Sequence, residues 1–68
     1  MNFSIEIDRE VDGRWIAEVP SLPGVIVYGE TQAEAVSKAK ALALHVIADR
    51  IEHGEDLGEL VSLTFQAA

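Results

Sequence analysis

His45, Asp49 and His53 follow one another at four-residue intervals, so on a helix they line one side and could offer a metal two imidazoles and a carboxylate. Glu52 belongs to the same polar side. A solvated surface, in which histidines near a helix C-terminus offset its dipole, explains the pattern more simply. A second group is Glu6, Asp8 and Glu18, which on the outer faces of neighbouring strands could hold Mg²⁺ for phosphodiester hydrolysis. That chemistry requires convergent acids and a substrate groove. With Arg9 and Arg14 nearby, cross-strand charge pairs on a wet face account for the same residues. Ser4, Ser21, Ser37 and Ser62 lack the context of a nucleophile elbow, and the five glycines mark turns and ends and form no phosphate loop. The expectation is an acidic binding module without catalysis, metal or cofactor.

Sixty-eight residues form one domain, near the lower size at which a chain buries enough apolar surface to fold alone. There are no cysteines, which excludes disulfides, thiolate metal sites and a cysteine nucleophile, and leaves association as the source of extra stability. A formal net charge of -7 argues against direct binding to a nucleic-acid backbone and suits a basic protein partner. Met1 to Glu6 has no basic segment leading into an apolar run, so a cytoplasmic chain is expected. The apolar runs Ala41 to Leu44 and Val46 to Ala48 are far shorter than the roughly 20 residues of a membrane span.

The elements that position these residues are legible in order. Phe3, Ile5 and Ile7 alternate with polar residues from Asn2 to Asp8, the period of a half-buried strand. Asp12-Gly13 supplies a hairpin turn, and a second strand returns from Arg14 to Val19, with Trp15, Ala17 and Val19 facing the core and Ile16 on the other side. Pro20 and Pro23 withhold donors from the ladder and bound a corner, with Leu22 set to pin it to the core or to a partner. Val25 to Tyr28 is apolar on both faces and reads as a third strand at the sheet edge, covered by another chain. Thr31-Gln-Ala-Glu34 is a capping box that opens a helix running to about His53, with Gly54 as its terminator. Ala35, Val36, Ala39, Leu42, Ala43, Val46 and Ile47 form its core face, and Ala33, Leu44 and Ile51 are expected to widen that stripe on one flank. After an acidic connector, Glu55 to Glu59, the residues Val61, Leu63 and Phe65 alternate as a last strand, which a crossover lays beside the first. The fold class predicted is α+β: a βββαβ single sheet with one helix packed on one face.

Asp12-Gly13, Trp15, Ala17-Glu18-Val19-Pro20, Leu22-Pro23-Gly24, Gly29, Thr31 and Glu34-Ala35 together resemble the N-terminal domain of HicB-type antitoxins. The resemblance covers nearly the whole chain, residues 1–68, as a single HicB-like domain. It implies a partial RNase H-like fold without nuclease activity that binds and masks a small, basic, mRNA-cleaving toxin of the HicA type. Members usually carry Cys where this chain has Val25. Full-length antitoxins append a C-terminal DNA-binding domain, which is not expected here, nor is autoregulatory DNA binding.

The contact residues expected are Ile16, Pro20, Leu22, Pro23, Ile26 and Tyr28, at the corner and the exposed third strand, serving a toxin or a homo-oligomer, dimer or tetramer. The alternative is a stand-alone homo-oligomeric domain of the same fold that binds another protein or a small ligand.

Overall fold

The computed structural model describes residues 2–55 and 63–67. Alternation in the first segment produces β1, Asn2–Arg9, with Phe3 and Ile5 buried and Asn2, Ser4, Glu6 and Asp8 exposed. The hairpin that follows is closed by Glu10 N–H donating to the Arg14 carbonyl at 2.7 Å and Gly13 N–H donating to the Glu10 carbonyl at 2.9 Å. Positive φ there is confined to Gly13 (φ 93°). The loop is therefore the longer, three-residue kind that ends on a left-handed glycine, since a two-residue type I′ turn would need positive φ at Asp12 as well.

The return strand β2, Trp15–Glu18, is shorter than the expected Arg14 to Val19, and the third strand β3, Ile26–Gly29, begins one residue later than the expected Val25 to Tyr28. The corner between them takes the difference. Leu22 N–H bonds to the Val19 carbonyl at 3.0 Å and Val25 N–H to the Leu22 carbonyl at 3.1 Å, giving two consecutive turns. Pro23 and Gly24 are the central pair of the second, and Gly24 at φ 90° fits a type II turn, whose third position requires positive φ. The corner is held from inside by Leu22, which is only 3% exposed.

The helix α1, Gln32–Glu52, begins where the Thr31 hydroxyl accepts from the Glu34 N–H at 3.1 Å. The Glu34 carboxylate, expected to bond back to Thr31, pairs with the Lys38 Nζ at 3.0 Å. At the other end Gly54 N–H bonds to the Ile51 carbonyl and Glu55 N–H to the Arg50 carbonyl, the two hydrogen bonds of a Schellman motif, with Gly54 at φ 78°. The face that packs on the sheet is Ala35, Ala39, Ala43 and Ile47, with Val36, Leu42 and Val46 beside it. Small alanines let the helix come close over β3 and β2. Gly29 marks the closest point: a Cβ there would lie 2.6 Å from the Ala35 backbone nitrogen. Ala33, Leu44 and Ile51 do not widen the buried stripe as expected; all three face solvent, because at about 100° per residue they fall about 80–140° around the cylinder from Ala39 and Ala43, on a flank that the sheet does not cover.

The last strand β4, Thr64–Ala67, runs parallel to β1, pairing Phe3 with Phe65, and the sheet order is β3-β2-β1-β4. Phe3 and Phe65 rings meet at 5.8 Å between centroids. Val61 and Ser62, expected at the start of this strand, and the expected connector beyond Glu55 lie outside the described residues. The α+β architecture is thus a mixed four-stranded sheet with one helix on one face. Trp15, read as core, is half-buried against it, with the Arg9 guanidinium 5.5 Å from its ring centroid. Among the described residues no helix is long and apolar enough to cross a membrane.

Candidate functional site

One face of the sheet is covered by α1; the other is open. The antiparallel registers set two rows across it: Asp8 beside Ile16 beside Tyr28, and Glu6 beside Glu18 beside Ile26. The site therefore has an acidic half on β1 and β2 and an apolar half on β2 and β3. Ile26 is 46% and Tyr28 43% exposed, while Ile16 between them is half-buried. Glu6, Ile7, Asp8, Glu10, Ile16 and Glu18 line a shallow depression of about 330 Å³.

Glu6 stands directly opposite Glu18. Like charges at directly opposed positions destabilise a strand pair, and the cations expected to neutralise them are elsewhere. Arg14 Nε bonds to the Asp12 carboxylate at 2.8 Å and its guanidinium lies 4.5 Å from the centre of the Tyr28 ring; Arg9 is over Trp15. Among the described residues none of the ion pairs includes Glu6, Asp8 or Glu18. The expected cross-strand charge pairs are replaced by an unneutralised acidic row. At the perimeter, the Arg14 backbone N–H and guanidinium bonded to Asp12 hold its carboxyl below the usual carboxylate range. Lys38, with the Glu30 backbone N–H, does the same for Glu34.

The sequence-predicted contact residues divide. Ile16, Ile26 and Tyr28 share the open face, and Pro20 and Pro23 are exposed at the corner beyond the Glu18–Ile26 row. Leu22 is placed inside and supports that surface from below. Glu6 and Glu18 join the site through the hairpin register. The signal was present in the sequence: closing the loop between Glu10 and Arg14 puts position 6 opposite 18.

The free edge of β3 is blunted. The Ile26 N–H turns back to the Gly24 carbonyl at 3.1 Å, and Lys38 Nζ reaches the Tyr28 carbonyl at 3.5 Å, a lysine placed where it hinders pairing with a further strand. As for metal, among the described residues no group of three histidine, aspartate or glutamate side chains is placed to hold an ion. His53 Nδ1 lies 2.8 Å from the Asp49 carbonyl and 3.3 Å from its carboxylate, a contact that caps the end of α1.

A small α+β protein with an acidic, partly apolar open sheet is the class this geometry defines. The chain is 33% identical over 60 residues to a UPF0150 protein of Archaeoglobus fulgidus, covering 85% of this chain and 87% of that protein. It is 30% identical over 57 residues to a UPF0150 protein of Thermoplasma acidophilum, covering 84% and 83%. The chain belongs to the UPF0150 family. No model of a known protein family matches it, and no solved structure matches it.

Proposed function

We propose that this chain is a non-catalytic, cytoplasmic binding protein whose open sheet face docks a small basic protein, and that the partner is an mRNA-cleaving toxin of the HicA type, masked in the complex. The observation that carries this reading is the opposed pair Glu6 and Glu18, without a cation among the described residues, beside exposed Ile26 and Tyr28. An unneutralised acidic row next to apolar side chains suits a partner that brings lysines or arginines around an apolar centre, since complementary potentials speed encounter and select the partner. The net charge of -7 acts in the same direction over longer range. The resemblance to HicB-type N-terminal domains supplies the toxin class.

Co-expression with the protein encoded by the neighbouring gene tests the reading. A stable complex in which the neighbour no longer cleaves RNA supports it, and a neighbour that purifies alone with full cleavage activity removes it. A second reading is a stand-alone homo-oligomeric domain that acts on no toxin and binds another protein or a small ligand; it is favoured by the apolar residues that α1 turns outward.

A further inference from the structure

We infer that the outer face of α1 pairs antiparallel with α1 of a second copy of this chain, leaving both acidic sheet faces free. An amphipathic helix on a sheet ordinarily turns charge to water. Here the side turned away from Ala39 and Ala43 carries Ala41, Leu44, Ala48 and Ile51, all exposed, with Leu44 47% and Ile51 51% open. Their spacing of three, four and three residues is that of a heptad seam. The alanines alternate with the larger side chains, so in an antiparallel pair Leu44 faces Ala48 of the partner subunit and Ala41 faces Ile51 of the partner subunit, large against small in each layer.

Charge selects both the partner and its direction. The rim of this face carries Lys38 and Lys40 toward its N-terminal half and Asp49 and Glu52 toward its C-terminal half, with His45 between; Glu34 breaks the pattern but is paired to Lys38, and beyond the helix Glu55 is paired to Arg50. An antiparallel copy lays the basic half, where Lys40 is in none of the ion pairs among the described residues, over the acidic half, where Glu52 is likewise in none, twice by symmetry. A parallel copy would set Glu52 against Glu52 and Lys40 against Lys40. The pairing also meets the need of a 68-residue chain whose single small core is near the lower limit for independent folding. The blunted β3 edge disfavours self-association by adding a strand there.

The test joins sedimentation equilibrium of the full chain to site-directed cross-linking. The wild-type chain is expected to sediment at twice its 7.4 kDa mass. Leu44→Glu is expected to raise the dissociation constant at least about tenfold, with helix content unchanged by circular dichroism. The chain has no cysteine of its own, so His45→Cys, at the two-fold axis of the antiparallel pair, is expected to form a disulfide-linked dimer when oxidised with copper phenanthroline, whereas Tyr28→Cys on the sheet does not. The cross-link decides the matter even if Leu44→Glu fails to fold. A wild-type chain that stays monomeric to about millimolar concentration, or one that cross-links through Tyr28→Cys and not His45→Cys, overturns the pairing. Charge reversal at Glu6 and Glu18 leaves the dimer intact, so loss of the toxin reading and loss of this one are told apart.

Discussion

Glu18 lies where fold stability and binding pull in opposite directions. It faces Glu6 across the β1–β2 ladder, so Glu18→Lys converts a repulsive pair into an attractive one. The isolated protein is expected to gain about 0.2–1 kcal/mol, read as a higher urea midpoint with an unchanged slope, while losing affinity for a basic partner. A lower midpoint would show that Glu18 is held by interactions other than those with Glu6. Gly29 makes a different demand. With Ala35 backbone nitrogen 2.6 Å from the position of an added Cβ, the obstacle is main chain and cannot swing aside. Gly29→Ala is expected to cost about 1–3 kcal/mol, the range for overpacking, as measured by denaturation; a neutral result would mean that α1 can slide on the sheet.

At the scale of elements, the helix is set at its start by Thr31 and at its end by the Schellman motif around Gly54. Thr31→Ala removes the hydroxyl that accepts from Glu34 and is expected to cost about 1 kcal/mol, or about 4–8 °C of melting temperature in a domain of this size. The pH dependence follows from the same end of the helix and from the hairpin. Asp12 and Glu34 both have folded-state pKa values below their ordinary ones. Their contribution is present above the unfolded carboxylate range and is lost as pH falls through the lower folded values. Both groups are exposed, so the effect is small. Exchanging both carboxylates for amides, Asp12→Asn together with Glu34→Gln, is expected to flatten the acid limb of a plot of melting temperature against pH. An unaltered acid limb would contradict this.

These elements also show what was legible in the sequence. Strand alternation through Phe3 and Ile5, the Thr31 cap and the Gly54 terminator are local patterns, and the structure has all of them. Three features depended on geometry beyond the local pattern. Whether Arg9 and Arg14 would neutralise the acidic row turned on where long side chains could reach, and both went instead to aromatic rings, with Arg14 also bonded to Asp12. Leu44 and Ile51 fit the helical period well enough to be assigned to the core stripe, but a sheet this narrow covers only the alanine side of the helix, and composition alone does not say where coverage stops. Leu22, between two prolines, was equally compatible with a core or a contact role until the double turn directed it inward.

Taken as a whole, the molecule presents two surfaces on opposite sides: an acidic and apolar sheet face, and an apolar helix face rimmed by both signs of charge. Long-range attraction of a basic partner by a chain of net charge -7 weakens as salt shortens the Debye length, which is about 10 Å at 0.1 M and about 3 Å at 1 M. Association with the partner is therefore expected to slow markedly across that range, while pairing through the outer face of α1, seated on apolar contacts, changes less. Stopped-flow association rates at the two salt concentrations check the first part, and sedimentation at the same concentrations checks the second.

The measurement that bears most directly on the central claim is a calorimetric titration of a basic HicA-type toxin into the wild-type chain and into the Glu6→Lys, Glu18→Lys double variant. The account predicts saturable binding to the wild type and, for a double variant that remains folded by circular dichroism, affinity reduced at least about a hundredfold, or roughly 2.8 kcal/mol. Equal affinity for the two chains would contradict it, because the partner would then be held by some surface other than the open acidic sheet.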